Sequence, residues 1–156
     1  MRSALLLAAF GVVVQPTWAG VTGERAERIE PGRRIYEAQC AACHGLRAEG
    51  QLAWERPNAD GELPAPPHDR SGHTWKHSDA MLYRIVAKGW RDPFNKTQRL
   101  TMPAFEQTLT AQEIHDVIEY LKTQWTPKQR AFQREESRRA PVPTTVPALT
   151  TERKNR

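Results

Sequence analysis

Three residues of the chain stand at a spacing that can hold an iron porphyrin. Cys40 and Cys43 are three positions apart, and His44 follows directly. On one helical turn, two thiols at this spacing can each form a thioether with a different vinyl group of one porphyrin, and the adjacent imidazole can then bind the iron as proximal ligand. Because the chain has 2 cysteines and both fall in this motif, the sequence predicts one covalently bound haem c.

A Cys-x-x-Cys pair also occurs in other kinds of site. A thioredoxin-like redox pair would sit in a βαβ pattern rich in Val and Ile, which residues 20–90 lack. A zinc site would take a further ligand from His68, His73 or His77, but one such pair without a second is a weak zinc signature. A structural disulfide leaves His44 without a role. Haem attachment is therefore the favoured interpretation.

The haem iron of an electron carrier needs a second axial ligand. Met102 is the candidate, because it lies in a loop and Pro103 restricts its backbone to extended geometry. Met81 falls at helical spacing among apolar residues and is predicted to lie in the core. Three histidines are rival ligands that would make the haem bis-His and lower its reduction potential: His68, His73 and His77.

Three helices are predicted to position these residues. The first begins at Pro31, a favoured first-turn residue, and runs into Cys40. A middle helix has Ser78 as N-cap and ends at Gly89. The last helix opens with a capping box at Thr110. Its apolar residues at i, i+3, i+4 and i+7 predict a core stripe: Ile114, Val117, Ile118 and Leu121.

The N-terminus has the pattern of a secretory signal peptide. Arg2 precedes an apolar run from Ala4 to Val14, and small residues around Ala19 suit a cleavage site before Gly20. The run is shorter than the ~18 residues of a membrane-spanning helix, so an uncleaved anchor is disfavoured. We therefore predict a periplasmic protein, whose thiols must be oxidised, metal-bound or covalently modified.

The formal net charge of +5 belongs to the C-terminal end of the chain. Residues 20–126 hold 14 Lys and Arg against 15 Asp and Glu, whereas residues 127–156 hold 8 against 3. A nearly neutral domain gives no support to nucleic-acid binding. The tail is predicted to form a short polar helix over Lys128–Arg139 and to be disordered from Ala140 onward. It is the candidate for contact with a partner or an anionic membrane surface, and its deletion is expected to leave the haem spectrum intact.

Several separated motifs follow one another in a recognisable order. Gly32 and Tyr36 precede the haem motif, a Pro-rich stretch spans residues 63–67, and the segment Met102-Pro103-Ala104-Phe105 comes before the last helix. Over roughly residues 31–125, this order resembles the class I monohaem cytochromes c of bacteria. The resemblance implies a small all-α fold wrapped around the haem, with crossing N- and C-terminal helices.

The resemblance also implies roles for individual residues. Gly32 and Tyr36 would meet the last helix near Tyr120, and the carbonyl of Pro66 or Pro67 would accept a hydrogen bond from the proximal histidine. Candidate partners of the haem propionates are Arg70, Trp75, Trp90 and Arg91. The chain then divides into a signal peptide (1–19), an N-terminal extension (20–30), a haem domain (31–126) and the tail (127–156).

The expected function is periplasmic electron transfer on a haem with His44 and Met102 as axial ligands. The partners would be redox proteins such as a dehydrogenase, reductase or oxidase, and the protein would catalyse no reaction of its own. One alternative is a haem enzyme or sensor with an open or His-ligated distal position. Another is a copper-associated accessory cytochrome that uses the methionines and three histidines: His68, His73 and His77.

Overall fold

The computed structural model describes the backbone of residues 19–140 and the side chains of residues 27–140. The described backbone forms five α-helices in the order α1 (Ala19–Gln39), α2 (Ala41–His44), α3 (Asp79–Lys88), α4 (Ala111–Thr123) and α5 (Pro127–Arg139), with a 3-10 turn at Thr74–Lys76 between α2 and α3. Within the described residues, the only β-type pairing is an isolated antiparallel bridge between Trp90 and Met102. The predicted all-α fold is confirmed. The apolar run of the predicted signal peptide and the chain after Ala140 lie outside the described residues.

Helix α1 begins well before the predicted start at Pro31. It runs from Ala19 to Gln39 and contains Pro31 in its interior, so the expected start is wrong. A proline inside a helix removes one backbone hydrogen bond without making the helical φ angle unfavourable. Arg33 forms salt bridges one turn away in both directions, with Glu30 across Pro31 (2.7 Å) and with Glu37 (2.6 Å). These pairs are solvent-exposed, so each contributes little to the stability of the helix.

Helices α1 and α4 cross with their backbones in contact. A Cβ atom on Gly32 would lie 2.0 Å from the carbonyl oxygen of Asp116 and 3.0 Å from the Cβ of Tyr120, so only glycine fits. Tyr36 is fully buried, and its ring packs against that of Tyr120 with centroids 5.3 Å apart. Its hydroxyl donates a hydrogen bond to the carbonyl of Gly45 (2.7 Å). The predicted meeting of the first and last helices is confirmed.

The capping signals of α3 and α4 act as the sequence predicts. Ser78 accepts a hydrogen bond from the backbone amide of Met81 (3.2 Å), and Gly89 ends α3 with a φ of +74°. Thr110 and Glu113 form the reciprocal capping box of α4. The predicted apolar stripe of α4 is buried, and each such side chain contributes about 1.5–3 kcal/mol when removed from water: Ile114, Val117, Ile118 and Leu121.

Helix α5 packs against the 3-10 turn and α3. It begins with a second capping box, formed by Thr126 and Gln129. The ring of Phe132 meets that of Trp75 edge to face, with centroids 5.5 Å apart, and the side chain of Gln133 is among the most buried in the protein. The predicted polar helix is therefore present, and it contacts the body of the fold. No helix in the described part of the chain is both long and apolar enough to span a membrane.

Candidate haem site

Helix α2 presents the two thiols and the imidazole of the haem motif. Cys40 caps α2, and its carbonyl accepts hydrogen bonds from the backbone amides of Cys43 (3.1 Å) and His44 (3.0 Å). Both thiols are free. Cys43 is exposed and Cys40 is half-buried, and burial raises the pKa of the Cys40 thiol to about 11. One helical turn thus places both sulfur atoms within reach of a single ligand.

All four predicted site residues line one cavity of about 420 Å³: Cys40, Cys43, His44 and Met102. The cavity lies between α2, the Pro-rich stretch, α3 and the loop that carries Met102. Two free thiols, one imidazole and an apolar wall are the donors and surroundings that haem c requires, so the residues present fit this group. Much of the apolar wall comes from Leu63, Pro64, Pro66, Leu82, Ile85, Pro103 and Phe105.

The imidazole of His44 is oriented by Pro66. The Nδ1 atom of His44 lies 2.9 Å from the carbonyl oxygen of Pro66, which settles the choice between Pro66 and Pro67. A carbonyl can only accept, so Nδ1 carries the proton and donates, and Nε2 keeps a lone pair that could bind a metal. Burial lowers the pKa of His44, and the weaker opposing effect of the Pro66 hydrogen bond raises it. A lowered pKa favours the neutral imidazole, which is the form that binds a metal.

Met102 is fixed through its backbone. Its amide donates to the carbonyl of Trp90, and its carbonyl accepts from the amide of Trp90, both at 3.0 Å. This bridge joins the Met102 loop to the end of α3. Met81, which was expected in the core, is half-buried and lines the same cavity, because the apolar face of α3 borders the cavity.

Three further histidines line the cavity from residues 68–77, the segment that we call the histidine loop. His68 stacks on His44 with ring centroids 4.0 Å apart, and its Nδ1 lies 2.7 Å from the hydroxyl of Thr74. His73 stacks on Trp54 (5.4 Å), and His77 meets His73 edge to face (5.3 Å). Burial lowers the pKa of each of the three loop histidines.

The zinc interpretation finds no support in the described geometry. Among residues 27–140, whose side chains are described, no group of three or more His, Cys, Asp or Glu side chains is placed to hold a metal ion. A zinc site at the Cys-x-x-Cys pair needs such a group. The copper interpretation also uses methionine sulfur, so it stays an alternative.

Of the four candidate propionate partners, Trp90 alone lines the cavity. Its indole nitrogen donates to the carboxylate of Asp92 (3.2 Å), a buried residue on the same wall. The indole of Trp75 donates instead to the carbonyl of Gly72, and Arg91 donates to Gln98. Arg70 is exposed, away from the cavity lining.

Two tryptophans near the site were not singled out from the sequence. Trp54 supports His73 by stacking, and the indole of the buried Trp125 donates to the carbonyl of His68 (2.9 Å). No local spacing reveals such contacts, since the paired residues are far apart along the chain. The available signal was the position of Trp125 just after the apolar stripe of α4. A tryptophan there is expected to be buried, and its indole N–H then needs an acceptor.

Fold and site together define a small helical protein that can bind haem through two thioethers and a histidine. Residues 29–125 match the family model described as Cytochrome c, so the chain belongs to the cytochrome c family. A protein of Synechocystis sp. described as "Cytochrome c-553-like" is 30% identical over 95 residues, which are 59% of this chain and 65% of that relative. The resemblance to class I monohaem cytochromes c is confirmed.

Proposed function

We propose that the protein is a one-electron carrier with a single covalently bound haem c, whose iron is ligated by His44 and Met102. The observation that carries this proposal is the convergence of both cysteines, His44 and Met102 on one cavity. A thioether opposite a histidine gives a higher reduction potential than two histidines would. The proposed function is therefore electron transfer at a reduction potential in the upper part of the range that c-type haems cover.

The protein's own residues would tether the group, orient its ligand and exclude water. Bound haem supplies reversible one-electron chemistry at its iron. Cys40 and Cys43 would hold it by thioether bonds, and the carbonyl of Pro66 would keep His44 in one orientation and tautomer. The apolar wall lowers the local dielectric, which disfavours the more highly charged oxidised site. No residue is needed as an acid, a base or a nucleophile.

Export to the periplasm and contact with redox partner proteins complete the proposal. Export rests on the signal-peptide pattern of residues 1–19. The partners would be a donor and an acceptor that meet the exposed side of the haem motif, where Cys43 lies at the surface. The protein would have no enzymatic activity by itself.

Mass spectrometry of the protein exported by a host that matures c-type haem tests the proposal. We expect the mass of the chain from Gly20 plus one haem, with no gain of haem in a Cys40→Ser/Cys43→Ser variant. The reduced-minus-oxidised spectrum should show the α-band of a c-type haem. A wild-type mass without haem would overturn the function, and a mass that retains residues 1–19 would overturn the cleavage.

A second candidate is supported by the histidine loop. His68, His73 and His77 all line the cavity, so a haem enzyme or sensor with a histidine or an open position opposite His44 is the alternative. The two candidates differ in the ferric spectrum, because a methionine–iron bond gives a charge-transfer band that a bis-imidazole or five-coordinate haem lacks. Rapid binding of carbon monoxide by the wild-type ferrous protein would favour the alternative.

A further inference from the structure

We propose that Gln133 of α5 is a positioning residue that determines the axial ligand of the haem. By fixing the backbone at His77, it keeps His77 and His73 at the cavity wall and leaves the distal position to Met102. This inference rests on the proposed His44 and Met102 ligation. It assigns a role to a helix that lies beyond residues 29–125, the part matched by the family model.

Gln133 is built into the junction between the histidine loop and α3. Its side chain is 1% exposed, and its amide nitrogen lies 3.3 Å from the carbonyl of His77, 2.6 Å from the carboxylate of Asp79 and 2.9 Å from the hydroxyl of Ser137. The same hydroxyl accepts a hydrogen bond from the backbone amide of Asp79 (2.9 Å). A buried side-chain amide is costly to remove from such a network, because its partners are left without a donor, so Gln133 restrains the junction.

Asp79 also connects this junction to α4. Its other carboxylate oxygen accepts from the ammonium group of Lys122 (2.8 Å), which is buried and also pairs with Glu119 (2.6 Å). A buried cation and carboxylate held by several hydrogen bonds have one favourable arrangement. Gln133 therefore connects the His77 carbonyl to a buried charged cluster of α3 and α4, outside the histidine loop.

The rest of the histidine loop is held by backbone contacts of the same kind. The side-chain amide of Gln129 donates to the carbonyl of Arg70 (2.9 Å), and the indole of Trp125 donates to the carbonyl of His68 (2.9 Å). Phe132 packs against Trp75 in the middle of the loop. Helix α5 thus contacts the beginning, middle and end of the loop.

The imidazoles of His73 and His77 are held less strongly than their backbones. Their side-chain contacts are ring contacts, His73 with Trp54 and His77 with His73, which are individually weak. Burial lowers the pKa of both, so their neutral form is a competent iron ligand. Imidazole binds iron well, and both rings lie on the cavity wall. Backbone restraint through Gln133 is what keeps them from the iron.

The test is the ferric spectrum of the haem-loaded Gln133→Ala variant. We expect loss of the methionine–iron charge-transfer band, a bis-imidazole low-spin signal in electron paramagnetic resonance, and a lower reduction potential. Adding His77→Ala or His73→Ala should restore the methionine band, and the one that restores it identifies the incoming ligand. Gln107→Ala, at an exposed loop position, is the matched control and should keep the wild-type spectrum.

Two results would overturn the role of Gln133 and leave the proposed ligation intact. One is a Gln133→Ala variant that retains the methionine band of the wild type. The other is a variant that loses the band but does not regain it when either histidine is removed. A wild-type protein without the methionine band overturns the proposed ligation itself, so the two failures are distinguishable.

A second measurement does not need the Gln133 variant to fold. In low concentrations of denaturant, the wild-type ferric protein should exchange methionine for histidine before global unfolding, as contacts of α5 loosen. The His73→Ala/His77→Ala variant should keep the methionine band until global unfolding. Coincident loss of the band in the two proteins contradicts the proposal.

Discussion

The imidazole of His68 lies against the imidazole of His44, with ring centroids 4.0 Å apart and ring planes inclined by 30°. The stacked ring is held in turn by its contact with Thr74 and by the hydrogen bond from Trp125 to its carbonyl. His44, the proposed proximal ligand, is therefore held from two directions, by Pro66 at its Nδ1 atom and by His68 at its face.

Replacing His68 tests the contribution of this stacking. His68→Ala should destabilise the protein by about 1 kcal/mol from lost ring contact and lower the reduction potential, since water entering beside His44 stabilises ferric iron. His68→Phe keeps an aromatic ring and should lie closer to the wild type on both measures. Denaturant unfolding and protein-film voltammetry measure the two quantities. Equal potentials in all three proteins contradict the expectation.

Removing the proposed distal ligand should leave one coordination position of the iron free. The Met102→Ala variant is expected to bind carbon monoxide in the ferrous state faster than the wild type and to lose the methionine band in the ferric state. Met81→Leu is the matched control, because Met81 lines the same cavity and leucine conserves its volume at a cost below about 1.5 kcal/mol. The ligation is wrong if Met81→Leu, and not Met102→Ala, opens the iron.

The contact of α1 with α4 should be intolerant of a single methyl group. Gly32→Ala would place Cβ 2.0 Å from a backbone oxygen of Asp116, and separating the helices to relieve this should cost about 1–3 kcal/mol or more. Ala38→Gly, at an exposed position of the same helix, should cost about 1 kcal/mol through helix propensity alone. Chemical denaturation measures the loss of unfolding free energy in both variants. Equal losses would contradict a tight crossing of α1 and α4.

Glu62 should make folding stability depend on pH in the acid range. This carboxylate is 5% exposed, and hydrogen bonds from Arg99 hold its pKa at about 2, below the ordinary 4.5. A lowered pKa adds stability that is complete above the unfolded-state value and is lost as the pH falls from about 4.5 towards 2. The difference in unfolding free energy between wild type and Glu62→Gln should therefore shrink over this range. A difference that stays constant in urea unfolding between pH 5 and pH 2 rejects this origin.

Two truncations should distinguish the contribution of α5 from that of the residues after it. The sequence alone predicts that deleting residues 127–156 leaves the haem spectrum intact, but the packing of α5 changes this expectation. Deletion of 141–156 should leave both spectrum and stability unchanged, whereas deletion of 127–156 should destabilise the protein and disturb the ferric spectrum. Salt-dependent binding to an anionic partner or vesicle, measured for the two truncations, shows which part carries the basic attraction.

Local signals were sufficient for part of this structure. The caps of α3 and α4 lie within a few residues of the helices they begin, so Ser78, Thr110 and Gly89 predicted the boundaries correctly. The start of α1 was missed because a proline at a first turn and a proline inside a helix share the same φ angle. The local sequence therefore predicts that a helix is present, but it does not predict where Pro31 lies within that helix.

The haem motif was equally local, but its supporting contacts were not. Cys40 and His44 lie four positions apart, about one helical turn, so the spacing predicts that they face one cavity. Stacking of His68 on His44 and the contact of Gln133 with His77 depend on the path of the chain through the histidine loop. Gln133 has no sequence pattern that distinguishes it from an exposed polar residue, and His68 was predicted only as a candidate ligand. The choice of Pro66 over Pro67 likewise required the fold.

The paired backbones of Trp90 and Met102 have a consequence for the speed of the proposed electron transfer. The rate depends on how far atoms must move when the iron changes its oxidation state. If Met102 is the ligand proposed above, its thioether is carried by a backbone that is hydrogen-bonded in both directions to Trp90, just after α3, and should move little in each cycle. The carbonyl of Pro66 would restrain His44 in the same way, so the reorganisation energy of the site should be small. Two backbone hydrogen bonds would then help to set the rate at which the protein exchanges electrons.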